Sequence, residues 1–415
     1  MRKNWSLPGL AARLAAVVSA VALSLVATAF ARSGDMVQRL FGAGFAARPI
    51  LMSLTVPFVF LAVTWMTRRW FPDARGSGIP QVMAAAHNPQ KLGHSPLVSI
   101  RTALAKFAGT LAMLASGATV GREGPTVQIA AAVTVAVHRL FRVPLTSGII
   151  LAGGAAGVAA AFNTPLAGVA FAIEELAAAY EQRVAVLVMG LVMVSGLVSL
   201  GMNGDYVYFG LVSSSLTARE TVIVAPLAGL LGGVCGGFFS RAISGLSLSA
   251  RPLAAWLRAR PLATAFGAGI VVATLGYFSN GLTWGTGYDT TRTLLSGGAA
   301  PTFYGPLKAL SALATALSGA PGGIFAPALS VGAGLGQLLS DVFPHSPPGA
   351  VVLLATTAYF TGVVRSPLTA VIIMMEMTSD RGLILPLFAS ALVADWASAQ
   401  ICPRKLYHAL SQTFR

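Results

Sequence analysis

Apolar tracts long enough to cross a bilayer, which takes about 20 residues, recur along this chain, and no other feature constrains its fold as much. They lie at 8–30, 50–67, 102–120, 146–173, 184–202, 221–240, 262–278, 350–375 and 382–402. Backbone polar groups in hydrocarbon need internal partners, so tracts of this length fold as helices. Their uneven lengths and internal Gly and Pro favour tilted and partial helices over a tidy set of full crossings. Only 10% of the 415 residues are charged and the mean hydropathy is +0.74, whereas soluble domains carry about 25% charged residues. The expected class is an all-α polytopic membrane protein.

The first 34 residues resemble a signal peptide, with Ala-Phe-Ala before Arg32. In a chain so rich in spans they read better as a first membrane helix with a basic cytoplasmic end. Cys235 and Cys402 both lie in apolar tracts and suggest no disulfide framework. The five histidines are scattered without metal-ligand spacing. No metal or cofactor is expected. A net charge of +15 could suggest nucleic acid, but Lys and Arg gather at tract ends: Arg2, Lys3 and Arg13; Arg68, Arg69 and Arg75; Arg241, Arg251, Arg258 and Arg260; Arg404, Lys405 and Arg415. That pattern follows the positive-inside rule. It puts the N-terminus, the loops near 70 and 241–260, and the C-terminus in the cytoplasm, and it favours an anionic solute at the entrances.

Acids are few. Of thirteen, Asp35, Asp73, Glu181, Asp205, Glu220, Asp289, Asp341 and Asp380 fall in loops or at tract ends. Glu123, Glu174, Glu175, Glu376 and Asp395 stand in apolar surroundings. A carboxylate at membrane depth is costly, so it marks a pathway, caps a helix or pairs with an arginine. For Glu376 and Asp395 the cap or the pair is the expected role.

The chain also repeats itself. "NTPLAGVAFAIEE" (163–175) matches "RSPLTAVIIMMEM" (365–377) at an offset of 202, and the same offset carries Gly121 and Pro125 of "GREGP" onto Gly323 and Pro327 of "GIFAP". "GSGIP" (76–80) and "GTGYD" (285–289) form a weaker pair at an offset of 209. The expected organisation is an N-terminal segment 1–34, related halves at 35–210 and 215–402, and a short end at 403–415. Repeats of this kind mark transporters, with the site at the repeat interface. "GSGIP", "GREGP" and "GGIFAP" each place glycines before a proline and an apolar helical run, with Pro read at the first helical position. Three helix N-termini would offer free amides and positive dipole ends, an anion site without a full positive charge.

These motifs, with the late Tyr of "RKLYHAL", resemble the CLC family of chloride channels and chloride/proton antiporters, in order and over about residues 35 to 410. The resemblance implies a homodimer with one anion pathway per subunit, each subunit built of two inverted halves. It implies that the Ser77 and Tyr407 hydroxyls meet the central anion from the inner side. Amides of Ile324 and Phe325, with Gly124 and Ala326 beside them, complete the site. Glu123 resembles the family's gating glutamate, which competes with the anion when charged and withdraws when protonated. Arg122 beside it is given a structural or field role. Glu175 falls on the position of the inner proton acceptor, and Glu174 is read as structural.

The implied function is exchange of chloride for protons, with bromide accepted, in a prokaryotic inner membrane. Ser77 fits chloride rather than nitrate or fluoride. Gln81 and Met83, followed by His87, stand where better-known bacterial antiporters carry acids, which bears on proton coupling. The chain stops shortly after Tyr407, leaving no room for cytoplasmic regulatory domains. A passive channel gated by Glu123 is the alternative. An intramembrane enzyme is disfavoured, because no Ser/His pair sits in a recognisable nucleophile context.

Overall fold

The computed structural model describes residues 7–87, 95–176, 182–204, 207–210, 215–249, 251–380 and 382–414. Arg2, Lys3, Glu181, Asp205 and Arg415, named above, lie outside the described residues. Among the described residues the regular structure is helical, apart from one isolated antiparallel bridge. The first half holds α1 (Leu7–Ala47), α2 (Pro49–Trp70), α3 (Ile79–Ala86), α4 (Ile100–Leu114), α5 (Glu123–Leu140), α6 (Ser147–Phe162), α7 (Pro165–Phe171) and α8 (Gln182–Asn203). The second holds α9 (Ala218–Leu248), α10 (Pro252–Ala259), α11 (Pro261–Phe278), α12 (Tyr288–Leu295), α13 (Tyr304–Leu317), α14 (Phe325–Val342), α15 (Pro348–Val364), α16 (Pro367–Thr378), α17 (Ile384–Ile401) and α18 (Leu406–Ser411). Of these, α1, α2, α9, α11 and α17 are long and apolar enough to cross a membrane.

One expectation is corrected here, and a second, that of broken tracts, gains its detail. The first tract does not end near residue 30. Helix α1 runs unbroken for 41 residues, about 60 Å at 1.5 Å per residue, or about twice the hydrocarbon thickness. It therefore tilts steeply or projects from the bilayer, and the expected boundary at 34/35 falls inside it. Asp35 is accordingly helical rather than in a loop or at a tract end, and Arg122 provides its partner. Second, the tracts 146–173 and 350–375 are each two helices. The breaks fall at Asn163 and Arg365, both left-handed, with φ of 58° and 62°. Thr164-Pro165 and Ser366-Pro367 follow, and proline disfavours helix in the residue before it. The two breaks are themselves 202 residues apart.

The polarity of the bundle is that of a protein in lipid. Leu54, Phe58, Leu104, Phe278 and Leu385 are all at least 60% exposed, a surface that water would not tolerate at this extent. The centre is α15, buried from Gly349 to Val364, with α6 buried over nearly its whole length. A helix apolar on all sides belongs in such a place. Helix α9 approaches α15 backbone to backbone. A Cβ at Gly232 would stand 2.5 Å from the Tyr359 amide, and one at Gly236 2.6 Å from the Gly362 carbonyl carbon. Small residues permit such contact between membrane helices.

The repeat survives as geometry. Adding 202 to both ends of α5 gives both ends of α14. Gly121 and Gly323 exchange backbone hydrogen bonds, N–H to carbonyl, of 2.8 and 2.7 Å. Glu174 accepts from the Leu368 and Thr369 amides at the start of α16, at 3.1 and 2.7 Å. Its counterpart Glu376 accepts from the Leu166 and Ala167 amides at the start of α7, at 3.1 and 2.8 Å.

Candidate functional site

Three glycine turns meet at one point. Besides the Gly121–Gly323 bridge, the Gly322 amide donates to the Gly76 carbonyl at 3.1 Å and the Gly76 amide to the Gly319 carbonyl at 3.3 Å. The N-termini of α3, α5 and α14 are thereby tied together. Pro80 is the second residue of its helix, and Pro125 and Pro327 the third, rather than the first as the motif suggested. The reason is general: the opening amides of a helix have no intrahelical acceptor, so proline is tolerated throughout the first turn. Glycine is required where the turns touch. A Cβ on Gly124 would collide with Ser77 Oγ. Gly78, at φ 111°, has no room for one beside the Gly124 carbonyl.

Of the residues expected to meet the anion, Ser77, Ile324 and Tyr407 line one cavity, while Gly124, Phe325 and Ala326 lie in the first turns of α5 and α14. Ser77 Oγ and the Tyr407 hydroxyl are buried and near each other, and neither has a hydrogen-bond partner elsewhere in the protein. Both line a cavity of about 340 Å³, together with Gly323 and Ile324, and Arg68, Arg75 and Arg258 stand in its wall. Phe325 opens α14 and is fully buried, its ring packed against Phe162, Phe171, Phe360 and Tyr407 at centroid distances of 6.1, 5.9, 4.8 and 6.0 Å. That packing fixes where the first amides of α14 point. Two unpaired hydroxyls facing a helix start in a buried cavity suit an anion, since a buried donor left unsatisfied is costly.

Glu123 is 1% exposed. One carboxylate oxygen, Oε1, accepts the Tyr288 hydroxyl. Oε2 has no partner and crowds the same face of Gly121 as the Ala326 amide. Arg122 faces away from it. Its guanidinium donates to the Ala31 carbonyl and Asp35 Oδ1, both at 2.6 Å, and to the Tyr208 hydroxyl at 3.0 Å. Arg122 is thus a bolt to α1, as expected of a structural residue, and Glu123 is held by Tyr288 instead.

Glu175 is fully buried rather than a surface acid. It sits on a π-helical turn, Ala172–Leu176, that continues α7. Ser366 Oγ donates to Oε2 at 2.7 Å, while Lys405 Nζ lies 3.8 Å from Oε2 and His408 Nδ1 3.7 Å from Oε1. Glu174 turns to α16, and Asp395 pairs with Arg365 at 3.0 Å. The bland roles expected for Glu376 and Asp395 are the ones they fill.

Sequence reading missed a set of clamps. Fully buried Lys106 donates to the Arg75 and Gly76 carbonyls at 3.1 and 2.7 Å. Fully buried Lys308 donates to those of Thr283, Trp284 and Gly285 at 2.9, 3.1 and 2.9 Å. The two lysines are 202 residues apart, and each grips the glycine turn ahead of a short helix, α3 or α12. Gln81, in place of an acid, donates to the Asp73 and Arg75 carbonyls, and Gln128 to those of Asp73 and Leu97. The shared offset pointed to the lysines. Tyr288 stood within "GTGYD", and His408 beside Tyr407.

Over residues 58–399 the chain matches the family described as voltage gated chloride channel. Its relatives include the H(+)/Cl(-) exchange transporter ClcA of Vibrio vulnificus, 32% identical over 371 residues that span 86% of this chain and 77% of that one. The protein of the same name from Vibrio parahaemolyticus is 32% identical over 361 residues, 83% of this chain and 75% of that one. Among solved structures, a slow cyanobacterial Cl-/H+ antiporter matches with a TM-score of 0.79 at 23% identity, covering 97% of both chains. A CLC-type fluoride/proton antiporter matches equally well, with a TM-score of 0.79 at 20% identity, covering 98% of this chain and 99% of that one. A eukaryotic CLC transporter gives 0.77 at 21% identity, over 98% of this chain and 75% of that one. Identities this low speak to the fold alone. The family match, together with the Vibrio relatives, carries the conclusion: this integral membrane protein belongs to the CLC family, whose members are transporters and channels rather than enzymes.

Proposed function

We propose that the protein exchanges chloride for protons. The observation that carries this reading is a pair of fully or almost fully buried carboxylates, Glu123 at the start of α5 and Glu175 on the turn that continues α7. A channel needs only the gate; a second buried carboxylate has a use when protons must travel.

The chain's own groups suffice for the cycle. Ser77, Tyr407 and the first amides of α14 bind chloride without a full positive charge, so binding strips water yet permits release. Glu123, seated against the Ala326 amide, excludes the anion from the outer part of the path. Protonated, it loses its attraction for that seat and swings away, and chloride enters. Glu175 receives the proton on the cytoplasmic side. The comparison folds include a fluoride/proton antiporter, so fold does not select the ion. Ser77 favours chloride, with bromide also accepted. The crossed hydrogen bonds between equivalent residues support two inverted halves. A homodimer with a pathway in each subunit, in a prokaryotic inner membrane with both termini cytoplasmic, is part of the same reading.

The test is proton movement into liposomes driven by an outward chloride gradient. Glu123→Ala and Glu175→Gln should each abolish it while chloride still moves. Chloride flux without any proton flux in the unaltered protein would make it a channel gated by Glu123.

A further inference from the structure

Glu175 has no exposed surface, so a proton reaching it from the cytoplasmic solution must be handed over. We propose that His408 performs this transfer, an inference that rests on the antiport reading above. Its Nδ1 is buried and lies 3.7 Å from Glu175 Oε1, although the side chain as a whole is 40% exposed. One edge of the ring therefore faces the buried carboxylate and the remainder meets solvent. Nδ1 and Oε1 are both without a hydrogen-bond partner. Ser366 occupies Oε2, leaving Oε1 as the oxygen free to accept. Lys405 stands 3.8 Å from Oε2 and, as an ammonium, steadies the carboxylate but has no lone pair with which to relay. Glu174, next in the chain, is engaged with the amides of α16.

The transfer balances with these atoms alone. A solvent proton adds to the Nε2 lone pair of the Nδ1–H tautomer, giving imidazolium. The Nδ1 proton then passes to Oε1, leaving the Nε2–H tautomer and a neutral carboxylic acid. Exchange with water restores the first tautomer. Imidazole is suited to this because its two nitrogens can take and give a proton near neutral pH. The 3.7 Å gap exceeds hydrogen-bond length by about half an ångström, as relay pairs at rest often do. Position gives the idea further support. His408 and Tyr407 are consecutive on α18, about 100° apart on a helix. One short helix thus presents a hydroxyl to the anion cavity and an imidazole to the proton acceptor. It also supplies a titratable group where Gln81 and Met83 supply none.

The experiment measures proton and chloride flux together in proteoliposomes of the full chain, comparing wild type, His408→Gln and His408→Ala, with and without added imidazole. The proposal expects proton flux to fall about tenfold or more, by a larger factor than chloride flux, in both variants. Imidazole should restore proton flux in His408→Ala. Chloride flux reports that each variant is folded, and His408→Gln preserves most of the side-chain volume if the alanine variant proves unstable. An unchanged proton-to-chloride ratio in either folded variant overturns the role of His408 and leaves the antiport reading standing. Absence of proton flux in the wild type overturns both.

Discussion

Replacing Tyr288 by Phe removes a single oxygen, and its effect on chloride binding follows from the geometry. The Tyr288 hydroxyl donates to Glu123 Oε1 inside the protein, with both residues buried. Hydrogen bonds to a charged group contribute about 1.5–3 kcal/mol, and 1.4 kcal/mol corresponds to a factor of about ten. The phenyl ring keeps the packing on Tyr208 and Phe209, at centroid distances of 4.9 and 5.7 Å. The seated carboxylate alone is weakened. On the proposal that this carboxylate competes with the anion, the apparent chloride affinity should rise by about ten- to a hundredfold. The ceiling is the affinity of Glu123→Ala, in which no competitor remains. Calorimetric titration of the purified protein with chloride at fixed pH measures all three. Unchanged or weaker binding in Tyr288→Phe, with tighter binding in Glu123→Ala, would refute the idea that Tyr288 holds the gate in its seat.

Other expectations are more compact. Gly124→Ala drives a methyl into Ser77 Oγ and should abolish calorimetric chloride binding, whereas Gly42→Ala, with nothing within 4 Å, should leave it intact. Unsatisfied buried groups cost about 1–3 kcal/mol each, so Lys308→Met, which frees three carbonyls, should lower the melting temperature in detergent more than Lys106→Met, which frees two; the reverse order would count against the clamp reading. Glu174→Gln and Glu376→Gln, which weaken equivalent caps, should each cost about 1 kcal/mol and shift the melting temperature alike, and loss of proton coupling in Glu174→Gln would contradict its structural role.

The spans and the site were legible for different reasons. Apolar length is a local property, so the nine tracts each contain a helix. The three turns were readable because helix starts that approach one another closely need glycine, and tolerate proline in the first turn, and both leave marks in sequence. The extent of α1 was not readable, because Arg32, Asp35 and Arg39 look like a loop until Arg122 is seen to reach Asp35 from another helix. Lys106 and Lys308 were passed over because neither lysine has a local rationale in the sequence. Their acceptors are carbonyls of turns about 20 to 30 residues away, brought near only by folding. Tyr288 escaped for the same reason: its partner is 165 positions distant.

The crossed caps of Glu174 and Glu376 bear on ancestry as much as on stability. Each half lends the acid that begins a helix of the other, and Gly121 and Gly323 trade hydrogen bonds in the same way. Two copies of a single ancestral half, assembled face to face, would satisfy every one of these contacts without a peptide link between them. Yet α5 begins at Glu123 whereas α14 begins, at the equivalent position, with Phe325. A carboxylate on only one of two matched helix ends gives the two ends different chemistry, which a symmetric pair could not have had.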